Sequence, residues 1–367
     1  MIIGILKEPL GENRVAMTPG LTRKESSLAS FLIETEAGAL AGYFDDDFKG
    51  CGVEVEKKRK QVIERANVIF SVKLPDDNSI RAMKPGAVLV GQFSPLKNVE
   101  IMKCLARIGV STFSLDLLPR ITRAQSMDIL SSQGNLAGYQ AAVYAISSLG
   151  RVFPMMMTAA GSIPPVKLLI IGAGVAGLQA IATARRMGAV VSAFDVRAAA
   201  KESVESLGAT FIDVPHTEAG EGTGGYAKEM SADYKRAQEA KLFEVISRQD
   251  VVITTAQIPN KPAPKIITAE MVSKMKNGAL IVDLAGESGG NCELTQFGEC
   301  VLHENKKIAA PSNILNDIAY TASVLFASNL LSFTKTLLRF ENGAVSFDLN
   351  DQLVQNTLVT HAGTVRF

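Results

Sequence analysis

The strongest chemical signal in the chain is the run Gly172-Ala173-Gly174-Val175-Ala176-Gly177. It follows the apolar stretch Leu168-Leu169-Ile170-Ile171 and opens an Ala-rich segment, the strand–turn–helix setting in which such glycines hold a pyrophosphate. Gly172 permits the tight turn, Gly174 lets the backbone approach the phosphates, and Gly177 lets helix and strand pack closely. Unpaired N–H groups and the dipole at the helix N-terminus favour the anion. The next apolar run ends at Phe194-Asp195. A carboxylate there accepts hydrogen bonds from both adenosine ribose hydroxyls and repels a 2′-phosphate. The expectation is a dinucleotide site preferring NAD(H) to NADP(H), with Arg197 as the nearby residue able to tolerate a 2′-phosphate.

Other chemistries are poorly supplied. His216, His303 and His361 are too far apart to suggest a metal cluster and offer little general acid/base capacity. Cys51, Cys104, Cys292 and Cys300 form no CxxC pair, so they read as reduced thiols of a cytoplasmic protein and no metal site is expected. Lys+Arg 38 against Asp+Glu 37 leaves a net charge of +1, which gives no bulk attraction to nucleic acid or anionic lipid. At 367 residues and 47% hydrophobic, the chain has the size and apolar content for two domains with separate cores.

The elements that must position these residues follow from the apolar pattern. Short β-like runs at 2–6, 67–72, 87–91 and 110–115 alternate with charged helix-like stretches at 56–65 and 97–107, which predicts a parallel sheet covered by helices. A long Ala-rich helix is predicted from about Ala124 to Leu149, and another from Asn313 to Phe340 before a short polar β-like tail. A second α/β alternation has strands at 166–172, 190–194, 209–214, 251–256 and 279–285, with helices to about Met187 and near 199–207. The Met155-Met156-Met157 run reads as gap-filling core. The Gly-rich stretch 216–230 reads as a functional or disordered loop. The opening residues read as a strand and not a signal peptide. The uncharged stretch 129–150 is too polar for a lipid-facing span, and 168–184 is accounted for by the glycine turn, so a soluble chain is expected.

A second motif, Pro119-Arg120-Ile121-Thr122-Arg123-Ala124-Gln125-Ser126-Met127-Asp128-Ile129-Leu130-Ser131-Ser132-Gln133, followed by Asn135-Leu136-Ala137-Gly138-Tyr139, resembles the PRISRAQSMDxLSS signature of domain I of proton-translocating NAD(P) transhydrogenases. The similarity extends to residues 7–19, 157–165, 225–230, 254–268 and 282–293. The resemblance implies an α/β fold of two Rossmann-like domains with parallel sheets and an NAD(H)-binding cleft between them. The first domain would be discontinuous, 1–127 with 313–367, and the nucleotide domain would span 128–312. It further implies the alpha subunit of an Si–Re specific, proton-translocating enzyme that forms homodimers. Such a subunit works with NADP(H) held on a separate domain III (beta subunit) and with a membrane domain II. The chain would then be cytoplasmic and peripherally associated with the membrane through those partners.

The same resemblance assigns residues. Arg120, Gln125, Asp128 and Ser131 would act at the nicotinamide end, within a binding segment that includes Ile121, Thr122, Ser126 and Met127. Gly172, Gly174, Val175 and Gly177 would hold the pyrophosphate, and Asp195, Val196 and Arg197 the ribose. Gly225, Gln238 and Gln257 would line the adenine side, with Gln257 a departure from the usual leucine, and Tyr226 would belong to a mobile loop that closes over nucleotide. Hydride exchange between two nicotinamide rings needs neither general acid nor general base, which suits the scarcity of histidine.

Two other readings are available. An alanine dehydrogenase-like enzyme would use Arg14 and Lys73 on a substrate carboxylate, but Phe93-Ser94-Pro95 stands where that family carries its proton-shuttling histidine. A non-enzymatic NAD(H) sensor would have little use for the 119–133 signature.

Overall fold

The structure, a computed structural model, describes residues 1–214, 231–258 and 261–366. The chain divides into two units, Met1–Gln133 with Leu315–Phe367, and Gly134–Ile314.

In the first unit β1 (Ile2–Ile5), β2 (Ser30–Glu34), β3 (Glu54–Glu56), β4 (Val68–Ser71), β5 (Val88–Gly91) and β6 (Ser111–Ser114) pair in parallel in the order β3-β2-β1-β4-β5-β6. Every residue of β4, β5 and β6 is buried, as expected for parallel strands covered on both faces.

The second unit contains β7 (Met156–Thr158), β8 (Gly161–Ile163), β9 (Lys167–Ile171), β10 (Val190–Phe194), β11 (Thr210–Phe211), β12 (Val251–Thr254), β13 (Leu280–Asp283), β14 (Cys300–His303) and β15 (Lys306–Ala309). Seven of them form one sheet, ordered β11-β10-β9-β12-β13-β15-β14. Its pairs are parallel except β14 with β15. Its apolar interior includes Leu169, Ile171, Phe194, Leu242, Ile246, Val252 and Ile281.

The chain then returns to the first unit with the hairpin β16 (Arg339–Glu341) and β17 (Ala344–Ser346), followed by β18 (Leu358–His361) and β19 (Thr364–Val365). The last two extend the first sheet antiparallel to β6. Both sheets are therefore mixed and mostly parallel, where the sequence pattern predicts parallel ones. Their antiparallel strands are edge additions that the alternation of strand and helix does not signal.

Three other expectations need correction. The long helix expected from Ala124 begins at Ile129, and Thr122–Met127 is a 3₁₀ helix. The segment 313–340 is a 3₁₀ turn at Ile314–Ile318, an α-helix at Ala319–Leu337 and then β16. The methionines do not fill the core, because Met155 and Met157 are 64% and 78% exposed on or beside the hairpin β7–β8. Pro154 and the Pro164-Pro165 pair bracket that hairpin and keep it out of the neighbouring regular structure.

Among the described residues, one helix, Ile314–Leu337, is long and apolar enough to cross a membrane by length and composition alone. Phe326, Leu330, Phe333 and Leu337 repeat at helical spacing along it and are buried in the first unit's core.

Candidate functional site

Both sheets run three strands one way and then reverse, between β1 and β4 in one unit and between β9 and β12 in the other. In open α/β sheets ligands bind outside the carboxyl ends of the strands at such a reversal. The two units treat that position differently.

In the second unit it carries the glycine loop. Gly172 has φ +97, and a Cβ there would press on Thr255 Oγ1 at 2.7 Å. Its amide donates to the Phe194 carbonyl at 2.8 Å, and its carbonyl accepts from Thr255 Oγ1 at 2.8 Å, which ties the turn to both neighbouring strands. A Cβ on Gly177 would overlap the Gly172 carbonyl oxygen, so this glycine sets how closely the helix Val175–Arg186 follows β9. Around Gly174, by contrast, a Cβ would meet nothing within 4 Å. The loop is thus packed from beneath and open at Gly174, where the helix presents its first unpaired N–H groups. Val175 is exposed at this end.

Asp195, directly after β10, is buried and accepts the Ala173 amide at 2.8 Å, which joins the ribose position to the loop. The same carboxylate is gripped by Arg197 through Nε at 2.9 Å and Nη2 at 2.7 Å. Val196 packs against the second unit's apolar cluster. Gln238 lies on the helix Ala232–Ile246, whose N-terminus is capped by Ser231 Oγ accepting from the Tyr234 amide at 3.2 Å. Gln257 is exposed after β12 and donates to the Leu284 carbonyl at 3.1 Å. Gly225 and Tyr226 lie outside the described residues, as does the rest of the Gly-rich stretch 216–230.

A buried polar knot behind this edge escaped sequence reasoning. The Asp283 carboxylate, at the end of β13, accepts from Thr254 Oγ1, Thr295 Oγ1 and the amides of Ala285, Asn291 and Cys292, at 2.6 to 3.2 Å. Asn291 in turn accepts the Ala256 amide at 3.0 Å and donates to the carbonyls of Ala256 and Pro264 at 2.8 and 2.9 Å. Asp283 and Asn291 therefore hold the segment that carries Gln257. The cost of burying polar groups explains why each is fully paired. Cys292 beside them is buried, and desolvation pushes its thiol up to about 11, which makes it inert.

In the first unit the 119–133 signature forms a tight bend. Ala124 and Met127 face inward and are buried, while Thr122 and Gln125 are exposed, as is Arg120 just before them. Side chains three apart eclipse in a 3₁₀ helix, so Thr122, Gln125 and the following Asp128 share one row. Asp128 caps the helix Ile129–Leu149, accepting the Ser131 amide at 2.9 Å and Ser131 Oγ at 2.6 Å. The structure thus brings Asp128 and Ser131 into direct contact, with at least one acceptor position left on each carboxylate oxygen. Ile121 packs against the core.

Asn329, a lone amide in the apolar helix Ala319–Leu337, donates to the Ser126 carbonyl at 2.9 Å and accepts Ser132 Oγ at 2.6 Å. Arg123 pairs with Asp351 at 2.6 Å, which holds the Asp351 carboxyl below its ordinary range despite the opposing effect of burial. Neither anchor was expected, although an Asn inside an apolar helix face is a visible signal.

At the first unit's own strand reversal there is no glycine loop. Glu8, just past β1, turns its carboxylate onto the amides of Val72 and Lys73 at 2.7 and 2.9 Å beyond β4. Burial raises its carboxyl to about 7 against these lowering hydrogen bonds. Arg14 is buried and gives Nε and Nη2 to Glu12 at 2.7 and 2.6 Å and Nη1 to Gln133 at 2.8 Å. An internal carboxylate therefore occupies this reversal, and the guanidinium named for a substrate carboxylate is already forked onto another. Phe93 is buried, with its amide donating to Ser114 Oγ at 3.0 Å.

Residues 4–137 match the Alanine dehydrogenase/PNT, N-terminal domain, and residues 141–367 match the Alanine dehydrogenase/PNT, C-terminal domain. The chain is 43% identical to an NAD(P) transhydrogenase subunit alpha protein of Rhodospirillum rubrum, over 100% of this chain and 97% of that protein. It matches the crystal structure of a transhydrogenase from Sinorhizobium meliloti with a TM-score of 0.90 and 42% identity, covering all of both chains. Alanine dehydrogenase of Bacillus subtilis is 27% identical over 80% of this chain and 72% of that protein.

Proposed function

Because this chain belongs to the alanine dehydrogenase/PNT family, we propose that it is the NAD(H)-binding component of an NAD(P) transhydrogenase. The observation that carries the reading is the second unit's glycine loop, open at Gly174, set at the strand reversal and joined by hydrogen bond to Asp195. These residues fit a dinucleotide: open space and unpaired helix N–H groups for the pyrophosphate, and a carboxylate at the ribose position.

Bound NADH supplies the hydride, which passes to NADP⁺ on a separate domain III. What this chain contributes is placement. Gly172, Gly174, Val175 and Gly177 seat the pyrophosphate, Asp195 and Val196 the ribose, and Gln238 and Gln257 the adenine side. Arg120, Gln125, Asp128 and Ser131 orient the carboxamide end, in a segment held rigid by Asn329 and Arg123. Proton translocation belongs to a membrane domain on another chain, through which this one is held at the membrane. The uncharged exposed methionines of the hairpin β7–β8 offer an apolar surface for the homodimer.

Over an amino-acid dehydrogenase, the reading is favoured by Phe93 in place of an acid/base histidine and by the closed Arg14–Glu12 pair. The deciding experiment mixes the protein and NADH with a transhydrogenase domain III carrying NADP⁺ and follows NADPH formation. Exchange is expected. Its absence with saturating NADH, or sustained NAD⁺ reduction by alanine, overturns the assignment.

A further inference from the structure

Four donors converge on the Asp195 carboxylate. Oδ1 accepts the Arg197 amide at 2.8 Å and Arg197 Nε at 2.9 Å, while Oδ2 accepts the Ala173 amide at 2.8 Å and Arg197 Nη2 at 2.7 Å. A carboxylate has about four acceptor positions, so this one has none to spare for an incoming hydroxyl. The donors are of two kinds. The Ala173 and Arg197 amides belong to the backbone that frames the site and stay in place. The other two come from a single guanidinium, one on each oxygen, and leave together when one side chain rotates.

A ribose edge presents two adjacent hydroxyls, the same number that the departing guanidinium uncovers. We propose that Arg197 is an internal competitor for the ribose position: its side chain occupies the acceptors that the 2′- and 3′-hydroxyls need, and nucleotide binds only as it is displaced. The inference rests on the reading that the second unit binds NAD(H), and it gives Arg197 the reverse of a ligand's role.

The Asp195–Arg197 pair is only partly exposed, 5% and 21% by side chain, so it is not the weak contact of a fully solvated ion pair. When the competent form is a fraction of the population, apparent affinity falls by that fraction. An open fraction of roughly one tenth makes the cost about tenfold. The same geometry bears on nucleotide choice. With the guanidinium gone, Asp195 keeps both backbone donors and its charge, which attracts hydroxyls and repels a 2′-phosphate.

The test is equilibrium binding of NADH and NADPH, by calorimetry, to the full chain and to Arg197→Ala and Arg197→Lys, with circular dichroism to confirm that each variant folds. Arg197→Ala is expected to bind NADH about tenfold more tightly with no gain for NADPH. Arg197→Lys, which keeps the charge but lacks a fork that reaches both oxygens, is expected to fall between. Tighter binding is an effect that structural damage does not produce. Unchanged or weaker NADH binding by folded Arg197→Ala overturns the proposal and leaves the nucleotide reading intact. Failure of the unaltered protein to bind NADH overturns both.

Discussion

At the residue scale, Asp128 has two demands on one carboxylate. It caps the helix Ile129–Leu149 through Ser131, and it is proposed to orient the nicotinamide carboxamide. Asn caps a helix about as well as Asp, so Asp128→Asn should leave stability within about 1 kcal/mol. The same change should slow hydride transfer to an NADP⁺-loaded domain III far more than it weakens NADH binding; equal losses in stopped-flow rate and affinity would sink the positional role. Glu8 makes a pH prediction. Its carboxyl lies near 7 in the folded chain against an ordinary 4.5, with Glu12 and Arg14 as the charged groups acting on it. Below pH 4.5 both states hold the proton and the contribution to stability is complete. As pH rises through 7 the unfolded chain ionises first and the contribution is lost. The stability of the unaltered protein relative to Glu8→Gln should therefore fall by up to about 3 kcal/mol from pH 4.5 to 8, measured by urea unfolding. A difference that stays constant with pH would refute it. Neither the shift of Glu8 nor the fork of Arg14 onto Glu12 is legible in sequence, because both depend on which backbone amides and side chains meet in the fold.

At the element scale, two glycines of one helix make opposite predictions. A Cβ on Gly138 would overlap the Ala176 carbonyl in the first turn after the glycine loop, whereas one on Gly134 would meet nothing within 4 Å. Gly138→Ala should therefore cost about 1–3 kcal/mol and weaken NADH binding by moving the loop. Gly134→Ala should be neutral or stabilising by up to about 1 kcal/mol. Thermal unfolding and NADH titration of both variants would check this, and equal behaviour would contradict the close approach. In the sequence the two glycines look alike, as interruptions in an Ala-rich helix. The 3₁₀ form of Thr122–Met127 was equally hidden, since its short apolar spacing also fits the start of an α-helix. Asn329, from a helix late in the chain, bonds the end of this segment at Ser126.

At the scale of the whole molecule, the sequence by itself determined the elements whose causes are local. The buried four-residue strands β4, β5, β12 and β13 show as unbroken apolar runs. The glycine loop shows because its turn, its open face and its helix start lie within six consecutive residues, and Asp195 because it ends the very next strand. Composition also limited the chemistry, since three dispersed histidines leave little for proton transfer. The tertiary structure decided whatever depends on distant partners. Residues 315–367 fold with 1–133, placing a helix in the first core and adding β18 beside β6. Asp283, Asn291, Asn329 and Glu8 are ordinary polar residues until burial obliges each to find its donors and acceptors. Local pattern records which face of a segment is apolar, but not which segment will cover it, and pairing across a long loop leaves no period to read.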